Sequence, residues 1–165
     1  MNKIQIIRHG DLSIRDVLDI IEIKSIAWPY DVDSQFRWII RNLLTDDLHF
    51  LLRDQNSGAI VAYLNLVEVE AEIERGKITK CWGLGNVCAR QKGRGSGREL
   101  LEHLNCYIES SGKPGILLCK ENVLGFYSKM NWEQLPLAVN LGEGVYAMQY
   151  KCPSGSILFS INRSF

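Results

Sequence analysis

The chain has 165 residues, of which 46% are hydrophobic, so it is long enough to bury a core as one globular domain over residues 1–165. Its formal net charge is +0 with 23% charged residues, so composition gives no reason to expect a nucleic acid or membrane partner. Five cysteines without a Cys-x-x-Cys pair argue against a metal site and predict reduced thiols in a cytoplasmic protein.

The first third of the chain predicts one strand and two helices. Residues 3–8 have the pattern of a short edge strand, and Ser13 lies where it can cap a helix. Residues 28–33 contain a proline and two acids, which predicts a loop before the second helix. The apolar positions expected to define the two helices are Val17, Leu18, Ile21 and Ile26, and then Phe36, Ile39, Ile40, Leu43 and Leu44.

The middle of the chain predicts three strands in succession. Residues 49–53 and 59–67 flank a cluster of turn residues, which is typical of an antiparallel hairpin. Residues 68–80 are rich in charge and are expected to fray, with Arg75-Gly76 turning the chain into a strand that ends at Ala89.

The last part predicts two helices and further strands. A helical pattern after residue 97 stops at 110–114, a buried strand follows at 115–119, and residues 122–130 form a short helix. The terminal strands are expected at 137–141, 144–151 and 157–161. The resulting order, βααβββ, then αβα, then strands, predicts a mixed α/β (α+β) fold with one parallel crossover.

A glycine-rich basic turn connects the strand that ends at Ala89 to the helix that follows. Three glycines at alternate positions let the backbone curl with its N–H groups inward, and the helix adds the positive end of its dipole. This combination predicts a binding site for a phosphate group. The residues expected to form it are Arg90, Lys92, Gly93, Arg94, Gly95, Ser96, Gly97 and Arg98.

Two motifs together give the chain a resemblance to the GNAT superfamily of acetyl-CoA-dependent N-acetyltransferases. Residues 87–101 are similar to the family's Arg/Gln-x-x-Gly-x-Gly/Ala pyrophosphate loop, and residues 126–132 resemble its Phe-Tyr-x-x-x-Gly-Phe helix end, with Asn131 and Trp132 in place of Gly-Phe. The resemblance implies a GNAT-type acyl-CoA N-acyltransferase fold, with a mixed central sheet in a βααβββαβαβ-like order. It also implies acetyl-CoA as the co-substrate.

The loop motif can be aligned in two registers. Arg90, Gly93 and Gly95 fit the pattern literally, whereas counting back from the helix puts Lys92, Gly95 and Gly97 in the same positions. We favour the second register because residues 97–101 match the family's helix start. In both registers the backbone amides of residues 92–98 are the expected donors to the pyrophosphate of coenzyme A.

The resemblance assigns further roles around the reacting thioester. The backbone of Val87, Cys88 and Ala89 would pair with the pantetheine arm, and an N–H near Val87 or Cys88 would polarise the thioester carbonyl. Tyr127 would protonate the departing thiolate as a general acid and contact the cofactor, and Asn122 is expected in the cofactor site. Core packing of Tyr127, or proton delivery by water, is the alternative.

The resemblance gives no fixed position for the base that deprotonates the acceptor. Asp33 and Glu68 are our candidates, on the condition that burial raises their pKa values enough. Trp28, Tyr30 and Trp38 are candidates to line the acceptor pocket, with ordinary aromatic packing as the alternative.

These features predict transfer of an acetyl group to a primary amine by direct attack in a ternary complex. The acceptor is left open among small amines, aminoglycoside-like amines, amino acids and peptide termini, and a homodimer is one expectation of the family fold. The alternatives are a non-catalytic acyl-CoA-binding sensor module and a cysteine acyltransferase or hydrolase that uses Cys119 or Cys88 with His49 or His103.

Overall fold

The computed structural model describes all residues from Met1 to Phe165. The elements are β1 (Asn2–Arg8), α1 (Ile14–Ala27), α2 (Val32–Asn42), β2 (Leu48–Asp54), β3 (Ile60–Glu74), β4 (Lys77–Ala89), α3 (Ser96–Ser111), β5 (Gly115–Lys120), α4 (Leu124–Ser128), β6 (Glu133–Leu135), β7 (Val145–Tyr150) and β8 (Ser160–Ile161), with single 3-10 turns at His9–Asp11 and Glu121–Val123. This order confirms the predicted mixed α/β class and its sequence of elements.

The strands form one mixed sheet in the order β1-β2-β3-β4-β5-β7-β6, and β8 pairs with β3. The pairs β1–β2, β2–β3, β5–β7 and β6–β7 are antiparallel, whereas β4 and β5 run parallel. A parallel pair needs a crossover connection, and α3 supplies it. None of the helices combines the length and the apolar character that a membrane crossing requires.

The residues divide into two compact units. Unit 1 contains Met1–Val67, Gly85–Leu104 and Phe165, and unit 2 contains Glu68–Leu84 and Asn105–Ser164. Strands β3 and β4 and helix α3 each contribute residues to both units. The single domain over residues 1–165 stays a prediction. The core residues of unit 1 come from helices and strands together, among them Ile20, Ile23, Phe50, Leu52, Leu64, Leu100 and Leu104.

Helix α1 begins where the sequence predicts. The Ser13 hydroxyl accepts from the Asp16 amide and the Asp16 carboxylate accepts from the Ser13 amide, each at 3.1 Å, which satisfies two N-terminal donors of the helix. The predicted apolar face is partly wrong, because Leu18 and Ile26 are exposed and the buried residues are Ile20, Ile21, Ile23 and Lys24. A lysine therefore stands among isoleucines on the buried face of this helix.

Helix α2 begins earlier than predicted, at Val32, because the Asp31 carboxylate caps it by accepting from the Ser34 amide at 2.8 Å. Asp33 consequently lies in the first turn of a helix and not in a loop. The apolar pattern again overstates the buried face, since Phe36, Ile40 and Leu44 are exposed while Ile39 and Leu43 are buried.

Two other predictions are wrong for reasons visible in the burial pattern. Residues 68–80 do not fray: β3 continues to Glu74, because Val69, Ala71 and Ile73 alternate with charged residues and are buried at period two. Residues 137–141 form no strand, and only Leu137 makes an isolated bridge, to Leu158.

Unit 2 places β5 and Trp132 in close contact. Trp132 is buried, and its indole Nε1 donates to Asn105 Oδ1 at 3.0 Å. A Cβ atom at Gly115 would lie 2.8 Å from the Trp132 ring, so any larger residue at this position would force the buried ring to shift. Asn131 adopts a left-handed φ of 63°, a conformation that asparagine tolerates well, and it thereby turns the chain after α4 towards Trp132.

Candidate active site

Strand β4 continues beyond the point where its pairing with β5 ends. Its parallel pairing with β5 covers only Trp82–Leu84 against Gly115–Leu117, although β4 runs on to Ala89. Asn86 has a left-handed φ of 53° and its side-chain amide donates to Asn65 Oδ1 at 2.5 Å. Because β5 is the neighbour on that side in the strand order, the β5-facing edge of residues 85–89 has no strand partner.

The segment of residues 91–95, which we call the glycine loop, joins β4 to α3 with two left-handed glycines. Gly93 has a φ of 77° and Gly95 a φ of 82°, values that a residue with a side chain adopts only under strain. No atom lies within 4 Å of the position where a Cβ would stand at either glycine, so the surroundings are open. The carbonyl of Gly95 accepts from the Glu99 amide at 2.9 Å, which begins the hydrogen bonding of α3.

The backbone amides from Gln91 to Arg98 donate no hydrogen bond within the chain. The amides on either side of this run do donate. The Arg90 amide donates to the Val61 carbonyl and the Glu99 amide to the Gly95 carbonyl, each at 2.9 Å. The amides of Ser96, Gly97 and Arg98 are the unsatisfied donors of the first helical turn. A run of free donors at a helix N-terminus is suited to bind an anion.

The four basic side chains around the glycine loop are used differently. The Arg90 guanidinium donates to Glu22 Oε1 at 2.7 Å and to the Ile60 carbonyl at 3.0 Å. It therefore connects the end of β4 to α1 and β3 of the same unit. Arg98 pairs with Glu102 at 2.9 Å. Lys92 and Arg94 are exposed and make no ion pair. The engagement of Arg90 agrees with the register of Lys92, Gly95 and Gly97, whereas the two left-handed glycines, Gly93 and Gly95, are those of the register with Arg90. Both registers therefore stay predictions.

In unit 2, Tyr127 is a buried ring with a free hydroxyl. The residue is 7% exposed and packs between Phe126 and Trp132, with ring centroids 5.1 and 6.4 Å away. Burial raises the pKa of the phenol far above its usual value, so the group keeps its proton at neutral pH. Its oxygen has no hydrogen-bond partner and is not among the wholly enclosed atoms. Asn122, in the turn before α4, is exposed.

The two base candidates do not meet the condition set for them. Glu68 pairs with Lys113 and, at 3.3 Å, with Lys80; the hydrogen bond from Lys113 is the main reason why the pKa of its carboxyl lies below the usual value. Asp33 is exposed and pairs with Arg37 one turn along α2. Neither carboxylate is buried, and the two lysines that pair with Glu68 favour its charged form, so neither residue meets the condition of burial.

Unit 1 contains a buried polar cluster, formed by Lys24, His49, Tyr63 and Cys88. The sequence suggests His49 and Cys88 only as parts of a cysteine-based site, and Lys24 and Tyr63 not at all. His49 Nδ1 lies 2.9 Å from the Tyr63 hydroxyl, and His49 Nε2 lies 3.1 Å from Nδ1 of the partly exposed His9. Burial, with smaller effects of His9 and Lys24, lowers the pKa of His49 to about 3, so the ring is neutral at pH 7. Burial also lowers the pKa of Lys24 to about 8.

Asn65 is a second residue that the sequence did not reveal. It lies in the buried part of β3, and its Nδ2 is the one enclosed side-chain nitrogen or oxygen without a hydrogen-bond partner. The same nitrogen would stand 3.2 Å from a Cβ at Gly85, next to the left-handed Asn86. The orphan donor therefore points to the segment of β4 where strand pairing with β5 has ended.

The cysteine-based reading finds no support in these contacts. All five cysteines are free, and burial raises the pKa of Cys88 to about 12 and that of Cys119 above its usual value. A thiol must ionise to act as a nucleophile, which these surroundings oppose. His49 is hydrogen-bonded to Tyr63 and His9, and His103 is exposed.

No protein-family model and no curated protein sequence matches the chain. Its fold does match solved structures. An acyl-CoA N-acyltransferase from Pseudomonas aeruginosa superposes with a TM-score of 0.67 at 19% identity, over 91% of this chain and 99% of that one. The GNAT family N-acetyltransferase YhbS from Escherichia coli, solved with CoA, gives 0.63 at 16% identity, over 90% and 81%. An N-acetyltransferase from Staphylococcus aureus Mu50 gives 0.62 at 15%, over 91% and 97%. The expected GNAT-type fold is thereby confirmed.

Proposed function

We propose that the chain is an N-acyltransferase that binds acetyl-CoA at the glycine loop and transfers the acetyl group to a primary amine. The observation that carries the proposal is the run of amides from Gln91 to Arg98 that donate to no acceptor, with left-handed Gly93 and Gly95 before the first turn of α3. The fold shared with acyl-CoA N-acyltransferases supports the same assignment.

The donors present are suited to the charged end of coenzyme A. Its pyrophosphate needs several N–H groups converging on one anion, and the free amides of the loop and of the first helical turn supply them without a side chain. Lys92 and Arg94 add two unpaired positive charges at the same place. The pantetheine arm, which carries amides of its own, would pair with the unpartnered edge of Val87, Cys88 and Ala89.

The proposed reaction is a direct transfer. The amine nitrogen attacks the thioester carbonyl carbon, the C–S bond breaks, and the coenzyme A thiolate leaves. Tyr127, which holds its proton at neutral pH, gives that proton to the thiolate and regains one from solvent. Since neither Glu68 nor Asp33 is buried, we assign the proton lost by the amine to bulk water. The products are an N-acetylated amine and coenzyme A.

The substitution Gly95→Glu tests the proposal. It places bulk and negative charge where the pyrophosphate would lie, so we expect acetyl-CoA affinity to fall by at least about 100-fold, measured by calorimetry. Gly58→Glu is the matched control, because Gly58 is also left-handed (φ 73°) with open space around it and lies in the same unit, in the turn between β2 and β3. Unchanged affinity in a folded Gly95→Glu protein would refute the proposed site.

A separate measurement distinguishes transfer from binding alone. Release of free coenzyme A from acetyl-CoA is followed with a panel of primary amines. Turnover with at least one amine supports the transferase. Tight binding of acetyl-CoA without release of coenzyme A across the panel would favour the non-catalytic sensor module.

A further inference from the structure

Lys24 is a buried lysine without a counterion in the chain. The residue is 2% exposed and makes no ion pair. By contrast, four lysines that are partly or largely exposed have acidic partners, namely Lys77, Lys80, Lys113 and Lys151. Burying an ammonium without an anion is unfavourable, because neither water nor an opposite charge compensates it. The arrangement therefore leaves a cation that an incoming anion would stabilise.

The groups around Lys24 carry no negative charge. The ammonium stands 4.1 Å from the centre of the Trp38 ring, which stabilises a cation through its π-electrons. The Cys88 thiol is neutral at pH 7, because burial keeps its pKa at about 12. The His49 ring is neutral as well, and the carboxylate that acts on it, Asp16, is already paired with Arg53 at 2.8 Å.

Lys24 is related to the proposed thioester site through Cys88. The two side chains lie close enough for each to affect the pKa of the other, and Cys88 belongs to the β4 segment proposed to hold the pantetheine arm, before the glycine loop. The Nζ atom is not among the wholly enclosed atoms without a partner, so part of the small remaining surface of the residue belongs to the ammonium. This surface is where an anionic group would contact the ammonium.

We propose that the Lys24 ammonium binds the carboxylate of the acyl acceptor, so that the acceptor is an amine that also bears an acidic group, of the amino acid or short peptide class. This inference rests on the proposed transferase function. Polyamines and aminoglycoside-like amines are disfavoured as acceptors, because they would bring further positive charge next to a buried cation.

Matched pairs of acceptors test this inference. Alanine, leucine and phenylalanine are each compared with their carboxamides, which keep the amine and the side chain but lose the negative charge. We expect kcat/KM to be at least tenfold higher for each acid than for its amide in the wild type. Lys24→Met should bring that ratio close to one by lowering the rate with the acids alone, and Lys24→Arg should keep a ratio above one. An acid-to-amide ratio near one in the wild type, or an unchanged ratio in Lys24→Met, overturns the proposal.

Lys113→Met is the control variant. Lys113 also stands over a tryptophan, 4.7 Å from the centre of the Trp82 ring, but it is paired with Glu68. We expect its acid-to-amide ratio to equal that of the wild type. A loss of the ratio in both variants would mean that charge in general, and not Lys24, is responsible, and would overturn the proposal.

A binding measurement decides the case in which no amine is acetylated. N-acetyl-leucine and N-acetyl-leucinamide are titrated into the protein saturated with coenzyme A. Tighter binding of the acid, lost in Lys24→Met, supports the anion site even though the transferase function has failed. Equal binding of the two compounds, or no binding of either, overturns it.

Discussion

The glycine loop and the buried polar cluster are both parts of unit 1 with unsatisfied polar groups, but the loop is open to water and the cluster is almost closed to it. In the loop, the free amides and the side chains of Lys92 and Arg94 are exposed, so solvent satisfies them until a ligand arrives. In the cluster, Lys24 is almost wholly enclosed, and burial lowers its pKa to about 8. An unpaired group in the loop costs little free energy, whereas one in the cluster destabilises the fold. The loop can therefore be identified from its sequence pattern, whereas the cluster is identified from the free-energy cost of burying its lysine.

The largest expected effect concerns the stability cost of Lys24. Its pKa falls from 10.5 to about 8, and at about 1.4 kcal/mol per pH unit this costs about 3 kcal/mol of folding free energy at pH 7. The cost is complete below pH 8 and is relieved as the pH rises towards 10.5. Lys24→Met should therefore raise the free energy of unfolding at pH 7 by about 2–3 kcal/mol, less the contact with Trp38, as measured in urea.

Two comparisons make the Lys24 result interpretable. The gain should shrink when the same measurement is repeated near pH 10, where the unfolded lysine is also losing its charge. Lys92→Met removes a charge that water already solvates, so the stability should change by less than about 0.5 kcal/mol. A Lys24→Met protein less stable than the wild type at pH 7 would contradict the view that this residue is kept at a cost.

The second effect is acid sensitivity caused by His49. Its pKa is about 3 in the folded chain and about 6.5 when unfolded, so the unfolded state takes up the proton first as the pH falls. The contribution of the neutral His49 ring to the free energy of unfolding is complete above pH 6.5 and is lost as the pH falls towards 3. Between pH 7 and pH 5 we expect it to remove about 2 kcal/mol from the free energy of unfolding. Denaturant titrations at the two pH values measure this loss.

His49→Gln should flatten this pH dependence, because the amide can replace the ring hydrogen bonds without titrating. His103→Gln provides the matched control, since His103 is exposed on α3 and its replacement should leave the slope as in the wild type. Equal slopes for all three proteins would show that the buried ring does not govern acid unfolding.

A third prediction distinguishes a ligand-binding role of Lys92 and Arg94 from a structural role of Arg90. Lys92→Gln and Arg94→Gln should each weaken acetyl-CoA binding about fivefold, an effect that decreases as salt is raised, with stability unchanged. Arg90→Gln breaks the contacts with Glu22 and Ile60 and should lower the free energy of unfolding by about 1 kcal/mol. A reversed outcome, with Arg90 governing affinity, would favour the register with Arg90, Gly93 and Gly95.

The smallest expected change in stability is that of Tyr127→Phe. The hydroxyl has no hydrogen-bond partner, so its removal should alter the free energy of unfolding by less than about 0.5 kcal/mol. If Tyr127 is the general acid, turnover should fall by about 100-fold while acetyl-CoA affinity is kept. An unchanged rate in steady-state assays would remove Tyr127 from the mechanism and leave proton delivery to water.

The order of elements and the glycine loop could be predicted because local signals define both. Alternating glycines between a strand and a helix need no knowledge of distant residues, and the capping box of Ser13 and Asp16 lies within one turn of chain. The full extent of β3 is not predicted, because the charges between Val67 and Glu74 are typical of a segment that frays. Those charges occupy the exposed positions of an alternating strand whose other positions are buried.

The buried polar cluster could not be predicted because its members meet only through the fold. His49 and Tyr63 come from two strands, and Lys24 comes from a helix. One signal was available: Lys24 follows Ile20 by four residues and Ile21 by three, which places it on the same helix face as two buried isoleucines. A lysine is normally assigned to solvent, and nothing local shows that this one points inward.

The short parallel pairing between β4 and β5 makes ligand binding measurable by amide hydrogen exchange. Beyond Leu84, the amides of β4 that face the β5 side have no strand to donate to, and such amides exchange their hydrogens with deuterated water rapidly. A ligand that pairs with this edge would slow the exchange at residues 85–89, while the amides of residues 91–98 would be protected by its phosphates. Two separate protected segments in one exchange experiment, without any substitution in the protein, would map the two ends of the same molecule.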